Sequence, residues 1–118
     1  MNFLNLLFGK PVPTLNTVEL NEKLKNGKRP LVIDVRQPDE YRSGHIPGAK
    51  LIPLGELKQR MKKLPQNKDI VCVCASGHRS RSATRILVEA GFDATNMKGG
   101  MLSWHRSRFP VKKGNAVQ

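Results

Sequence analysis

The 118-residue sequence predicts one α/β domain on a largely parallel sheet, and three observations carry that reading. Strand and helix signals alternate along the chain with short connections. Leu31-Val-Ile-Asp-Val35 and Ile70-Val-Cys-Val-Cys74 are dense apolar runs, the pattern of strands covered on both faces. Repeats and low-complexity runs are absent. A chain of this length supports a single domain and buries about two thirds of its unfolded surface, enough for a core without disulfides or structural metal.

The elements follow in order. Asn16 with Glu19 three residues on is an N-cap signature, Leu20 and Leu24 recur at helical spacing and Gly27 supplies the stop, so residues 17–26 form a helix. Residues 31–35 form a buried strand. Asp34 and Arg36 stand at its carboxyl end, where open α/β sheets place their ligands. Pro38-Asp-Glu-Tyr41 reads as one helical turn, because proline and acids suit a first turn. Gly44 to Gly48 is a loop and Ala49 to Ile52 a short strand. Leu54, Leu57, Met61 and Leu64 mark an amphipathic helix with Lys58, Arg60, Lys62 and Lys63 toward water. Residues 70–74 form a second buried strand, and Ser80 to Ala90 a helix closed by Gly91.

The ends are expected to stand apart: an apolar N-terminal extension over residues 1–13, a domain over 14–110 and a basic, frayed tail over 111–118. Met1 to Phe8 is apolar but too short for a membrane span, and lacks the basic start and cleavage pattern of a signal peptide. It is expected to pack on the domain, to mediate self-association, or to touch a membrane weakly. The chain is read as a cytoplasmic monomer or weak dimer.

Twenty-one Lys and Arg face nine Asp and Glu, a formal charge of +12. The excess is local. Residues 1–41 nearly balance, whereas Arg42 to Arg85 holds ten basic groups against Glu56 and Asp69. Nucleic acid is the first partner such a charge suggests, but aromatics make up 5% and no recognition motif interleaves the charges, so none is expected. The lysines read instead as a solvated face.

Cys72 and Cys74, one residue apart, cannot close a constraining loop, and no zinc-like spacing accompanies them. They read as reduced thiols. Cys74 falls between a strand end and a helix start, in Cys74-Ala-Ser-Gly-His-Arg79-Ser80. A loop there turns backbone N–H groups inward as an anion nest, Gly77 permits positive φ, and the helix N-terminus adds partial positive charge. With His78, Arg79 and Arg81 nearby, this environment is of the kind that lowers a thiol pKa and makes the sulfur a nucleophile. Cys72 reads as buried core in preference to a resolving thiol.

These blocks together resemble the rhodanese family from about Leu15 to Pro110: Leu31 to Arg36, Glu40-Tyr41, Gly44 to Ala49, Cys74-x-x-Gly77-x-Arg79-Ser80, Ala83 through Leu87 to Gly91, Gly99-Gly100 and Trp104. The resemblance implies a five-stranded parallel sheet flanked by helices on both faces. It implies a sulfurtransferase in which Cys74 becomes a persulfide, taking sulfur from an anionic donor such as thiosulfate and passing it to cyanide, a thiol or a protein. The active loop maps onto Cys74, Ala75, Ser76, Gly77, His78 and Arg79. Arg79 is expected to orient the donor or to close the loop, and His78 to contact substrate or stay solvated. Ser80 is expected to cap the following helix. Asp34 and Arg36 are expected to form an ion-pair network under the loop, and His45 to fix the Gly44–Gly48 turn through a hydrogen bond. Gly99 and Gly100 are expected to allow close backbone approach beside the loop, and Trp104 to be core. No cofactor or metal is called for.

Two rivals remain. A sulfur carrier or binding module for an acidic partner protein would share the persulfide. A cysteine phosphatase would use a similar cradle, but its loop is one residue longer, and no acid lies between Asp69 and Glu89 to protonate a leaving group.

Overall fold

The computed structural model describes residues 11–115. The readings of Met1–Phe8 and of residues 116–118 lie outside them. Five strands form one sheet: β1 (Thr14–Leu15), β2 (Leu31–Asp34), β3 (Lys50–Leu51), β4 (Ile70–Val73) and β5 (Ala94–Met97). Every pairing is parallel, in the order β1-β5-β4-β2-β3. The helices are α1 (Thr17–Lys25), α2 (Pro38–Ser43), α3 (Leu57–Arg60), α4 (His78–Glu89) and α5 (Gly100–Arg106).

Strand periodicity sorts side chains into two cores. Ile33, Ile70, Cys72 and Ala94 meet Leu57, Ala83 and Leu87 from α3 and α4 on one face. Val32, Val71 and Val73 meet Leu20, Tyr41, Met101 and Trp104 from α1, α2 and α5 on the other. The expected helices on both faces are therefore present. Trp104 is buried, its indole N–H donating to the Pro110 carbonyl at 2.8 Å.

Local chemistry accounts for the elements. The α1 capping box is complete: Asn16 Oδ1 accepts from the Glu19 N–H at 2.8 Å and Glu19 Oε1 accepts from the Asn16 N–H at 3.0 Å. The expected helix over 54–64 is a correction. It is a 3₁₀ turn (Leu54–Glu56), the four-residue α3 and a second 3₁₀ turn (Met61–Lys63). Pro53 and Pro65 frame it, and Leu64, ahead of Pro65, is extended at φ −78°, ψ 147°. Leu57 and Leu64 are still buried, and Lys58, Lys62 and Lys63 are exposed.

The segment from Lys112 is also tied down further than a frayed tail. Lys112 and His45 exchange backbone hydrogen bonds at 2.8 and 2.9 Å, and the Gly114 N–H reaches the Arg42 carbonyl at 2.9 Å. Among the described residues, no helix is long and apolar enough to cross a membrane.

The strand order fixes where a ligand belongs. From β2 the chain crosses over α2 to β3 at one edge, and from β4 it crosses over α4 toward β5 in the opposite direction. β2 and β4 are neighbours, so the loops leaving their carboxyl ends part company and open a crevice between them. Cys74 is the first residue of the β4 loop.

Candidate active site

Cys74 follows β4 and is 1% exposed. Its sulfur is ringed by donors. The Gly77 N–H reaches Sγ at 3.1 Å, and Ser80 Oγ lies 3.2 Å away. Burial alone would push the Cys74 thiol up, but its hydrogen bond with the Ser80 hydroxyl and those from the backbone N–H groups of Ser80, Gly77 and Ser76 outweigh it and hold the thiol below its ordinary value. Cys72 provides the contrast. It is fully buried and lacks such a ring, and burial pushes its thiol up to about 12. Cys72 is core, as expected.

The ring depends on Gly77. It caps α4 from the left-handed region at φ +103°, which turns its N–H back onto the sulfur. Helix α4 thus starts at His78, two residues earlier than expected, and Ser80 lies inside its first turn. Ser80 is not a cap; its hydroxyl donates to Asn96 Oδ1 at 2.6 Å and faces Cys74. The Asn96 amide also reaches the Gly77 carbonyl at 3.5 Å. Its site on β5 joins it to the loop, a role the sequence reading did not assign.

Behind the loop stands α5. The N–H groups of Met101 and Leu102, unpaired within their own helix, donate to the carbonyls of Cys74 and Ala75 at 2.8 and 3.0 Å. This contact demands Gly100, at φ +60°. A Cβ there would fall 2.5 Å from the Cys74 carbonyl oxygen and the Ala75 carbonyl carbon, and closer still to the Ala75 oxygen. The expected close approach of Gly99-Gly100 to the loop is met.

Across the crevice, Arg79 of α4 grips Glu40 of α2 with both prongs, Nη1 to Oε1 at 2.8 Å and Nη2 to Oε2 at 2.9 Å. The pair ties the start of α4 to α2 across the crevice. Glu40 was part of the family pattern but not of the expected site. The Arg79 guanidinium holds the Glu40 carboxyl down at about 2. With the folded value below the ordinary 4.5, the clasp contributes its full stability above about pH 4.5 and loses it as pH falls toward 2. Glu40→Gln is therefore expected to lower stability by up to about 1 kcal/mol at neutral pH, a modest figure because the pair is about one-third exposed. Thermal unfolding should show the gap between the two proteins closing in acid; a gap independent of pH would remove the clasp from the account.

The supporting residues sit further off. Asp34 and Arg36 form a buried pair, Nη2 to Oδ2 at 2.8 Å, and Arg36 also donates to the Gly44 carbonyl at 2.8 Å. The expected pair exists, and its guanidinium pins the loop after α2; among the described residues its hydrogen bonds run within the pair and to Gly44. His45 makes a side-chain hydrogen bond that ties the Gly44–Gly48 segment to α2. Its Nδ1 contacts the Tyr41 carbonyl at 2.8 Å, and its ring stacks on Tyr41 at 3.6 Å. His78 is exposed, with Nδ1 3.0 Å from Ser76 Oγ. The hydrogen-bond partners of the sulfur are backbone N–H groups and a serine hydroxyl, and the expected nearby charge of Arg79 acts on it through space. Among the described residues, no group of three His, Cys, Asp or Glu is placed to hold a metal.

A parallel α/β sheet places a cysteine cradled by N–H groups at its switch point, backed by one helix N-terminus and leading into another. Residues 16–107 match the rhodanese-like domain, and the chain belongs to that family. It is 34% identical over 99 residues to a putative sulfurtransferase, YtwF, of Bacillus subtilis, covering 84% of this chain and 96% of that protein. It is 32% identical over 101 residues to a sulfurtransferase of Allochromatium vinosum, covering 85% and 94%. Among solved structures, a rhodanese-related protein from Thermoplasma volcanium superposes with a TM-score of 0.81 at 32% identity, covering 86% of this chain and 99% of that one.

Proposed function

We propose that the protein is a sulfurtransferase that carries sulfane sulfur on Cys74 from an anionic donor such as thiosulfate to a thiophilic acceptor: cyanide, a thiol or a partner protein. The observation that carries this reading is the ring of N–H groups and the Ser80 hydroxyl around Cys74 Sγ. Membership of the rhodanese-like family supports it.

In the first step the Cys74 thiolate attacks the outer sulfur of thiosulfate. A Cys–S bond forms, the donor S–S bond breaks, and its electron pair leaves with sulfite. In the second step the acceptor attacks the outer persulfide sulfur, and the electron pair returns to Cys74 as thiolate. The charge rests on Sγ in the thiolate and on the outer sulfur, one bond further out, in the persulfide, and the N–H groups of the loop are the donors available to both. A soft, ionised thiol needs no general base, which leaves Asp34, Arg36 and His45 as structural supports. Ala75, Ser76 and Gly77 supply the wall of the nest. His78, Arg81 and Lys98 line an open cleft of about 390 Å³ beside the loop and would draw in a small anion.

Incubation with thiosulfate followed by intact mass measurement tests the reading. A gain of one sulfur atom, removed by cyanide or a thiol, is the expected result. No gain, or hydrolysis of an aryl phosphate in its place, would overturn it. Comparing turnover by cyanide, small thiols and an acidic protein acceptor separates free-standing transfer from carriage to a partner.

A further inference from the structure

Asn96 is 6% exposed and lies beneath the first turn of α4, bonded to Ser80, and no step above uses it. The Ser80 hydroxyl has one hydrogen and two neighbours able to accept it, Asn96 Oδ1 at 2.6 Å and Cys74 Sγ at 3.2 Å. With Ser80 donating to Asn96, the hydrogen between sulfur and Oγ must be the thiol's own. That arrangement suits protonated Cys74. A thiolate has no hydrogen to give and needs the one Ser80 holds.

If the hydroxyl turned alone, Oγ and Oδ1 would face each other at 2.6 Å, two acceptors with no hydrogen between them. Asn96 carries the remedy in its own amide. A half turn brings Nδ2–H to Oγ and frees the Ser80 hydrogen for sulfur. Little is lost, because the contact given up, Nδ2 to the Gly77 carbonyl, is long at 3.5 Å, and that carbonyl keeps the Arg81 N–H at 3.3 Å.

We propose that Asn96 is a positioning residue whose amide turns with the charge on Cys74, so that Ser80 accepts from the thiol in one state and donates to the thiolate or persulfide in the other. The proposal rests on Cys74 as the sulfur-bearing nucleophile. Cys72 of β4, Asp34 and Arg36 at the end of β2, Glu40 of α2, His78, Arg79 and Arg81 of α4, and Lys98 after β5 complete the titratable and charged surroundings. The variants leave all of them in place.

The test is the pH dependence of iodoacetamide alkylation at Cys74, with the adduct located by peptide mass. Asn96→Asp and Asn96→Leu are each made with Ser80 present and with Ser80→Ala. A carboxylate only accepts and competes for the Ser80 hydrogen, so with Ser80 present Asn96→Asp should raise the midpoint and slow alkylation at neutral pH by about tenfold or more. In the Ser80→Ala background only through-space charge remains, and the effect should fall to less than half on the pH scale. Asn96→Leu removes acceptor and donor together without adding charge. Were the amide a fixed acceptor, its loss would free the Ser80 hydrogen for sulfur and lower the midpoint; with an amide that turns, that hydrogen already serves the thiolate, so the midpoint should not fall when Ser80 is present, and this variant decides the matter if the aspartate variant does not fold. Equal Asn96→Asp shifts in both backgrounds, or a lowered midpoint from Asn96→Leu with Ser80 present, would overturn the proposal. Alkylation needs no sulfur donor, so this outcome and that of the persulfide experiment are read separately.

Discussion

Cys74→Ser is expected to abolish the gain of sulfur from thiosulfate and to cut transfer by at least about 10³-fold, while the protein stays folded. Serine is nearly the same size and can still meet the Ser80 hydroxyl and the Gly77 N–H, so the cradle keeps its partners. What disappears is the chemistry. A serine hydroxyl stays protonated under conditions in which a cradled thiol ionises, and its hard oxygen is a poor nucleophile toward sulfur. Cys72 cannot substitute, because it is fully buried and its thiol is pushed up to about 12. Intact mass and turnover of the variant beside the parent decide the matter. Sulfur retained by Cys74→Ser would move the reaction to another residue.

The second large effect belongs to a residue that never touches sulfur. Gly100→Ala is expected to cost about 3–5 kcal/mol, roughly 1 for the left-handed backbone and the rest for parting α5 from the loop, where two hydrogen bonds and their desolvated groups are at stake. A loss of that size in a domain of this length lowers the melting temperature by some 10–20 °C. Transfer by the surviving folded fraction should also fall, because the loop carbonyls lose their anchors. Gly91→Ala serves as the control. Gly91 is also left-handed, at φ +92°, but a Cβ there would have no atom within 4 Å. Its cost should stop near 1 kcal/mol, and equal losses at the two positions would show that overlap with the loop contributes nothing.

Much of this architecture was legible in the sequence because it depends on local chemistry. The capping box at Asn16, the apolar runs of β2 and β4, and the strand-to-helix setting of Cys74 are each written in a few neighbouring residues. β1 and β5 were not. Thr14-Leu15 is too short to show a period, and Ala94-Thr-Asn-Met97 carries an asparagine where an apolar residue would have marked a buried strand. That asparagine faces Ser80, so the residue that hid the strand belongs to the site. The start of α4 was misplaced for a related reason: serine is a common helix cap, and a left-handed glycine in that role has no side-chain signature. The Arg79–Glu40 clasp joins residues 39 apart on different helices, and no local pattern pairs them. The Asp34–Arg36 pair was legible as a pair; that it reaches back to Gly44 depends on how the chain folds after α2.

The peptide unit gives the contact between α5 and the loop a further meaning. A trans peptide is rigid and planar, with its C=O and N–H pointing in opposite directions. When Leu102 draws the Ala75 carbonyl toward α5, the N–H on the other end of the same plane, that of Ser76, is swung the opposite way, toward sulfur. The plane works as a seesaw with a helix end pulling one arm down and the Cys74 sulfur under the other. The N–H dipole of Ser76 is thus aimed at the Cys74 sulfur from outside the cradle, by a backbone donor of a neighbouring helix.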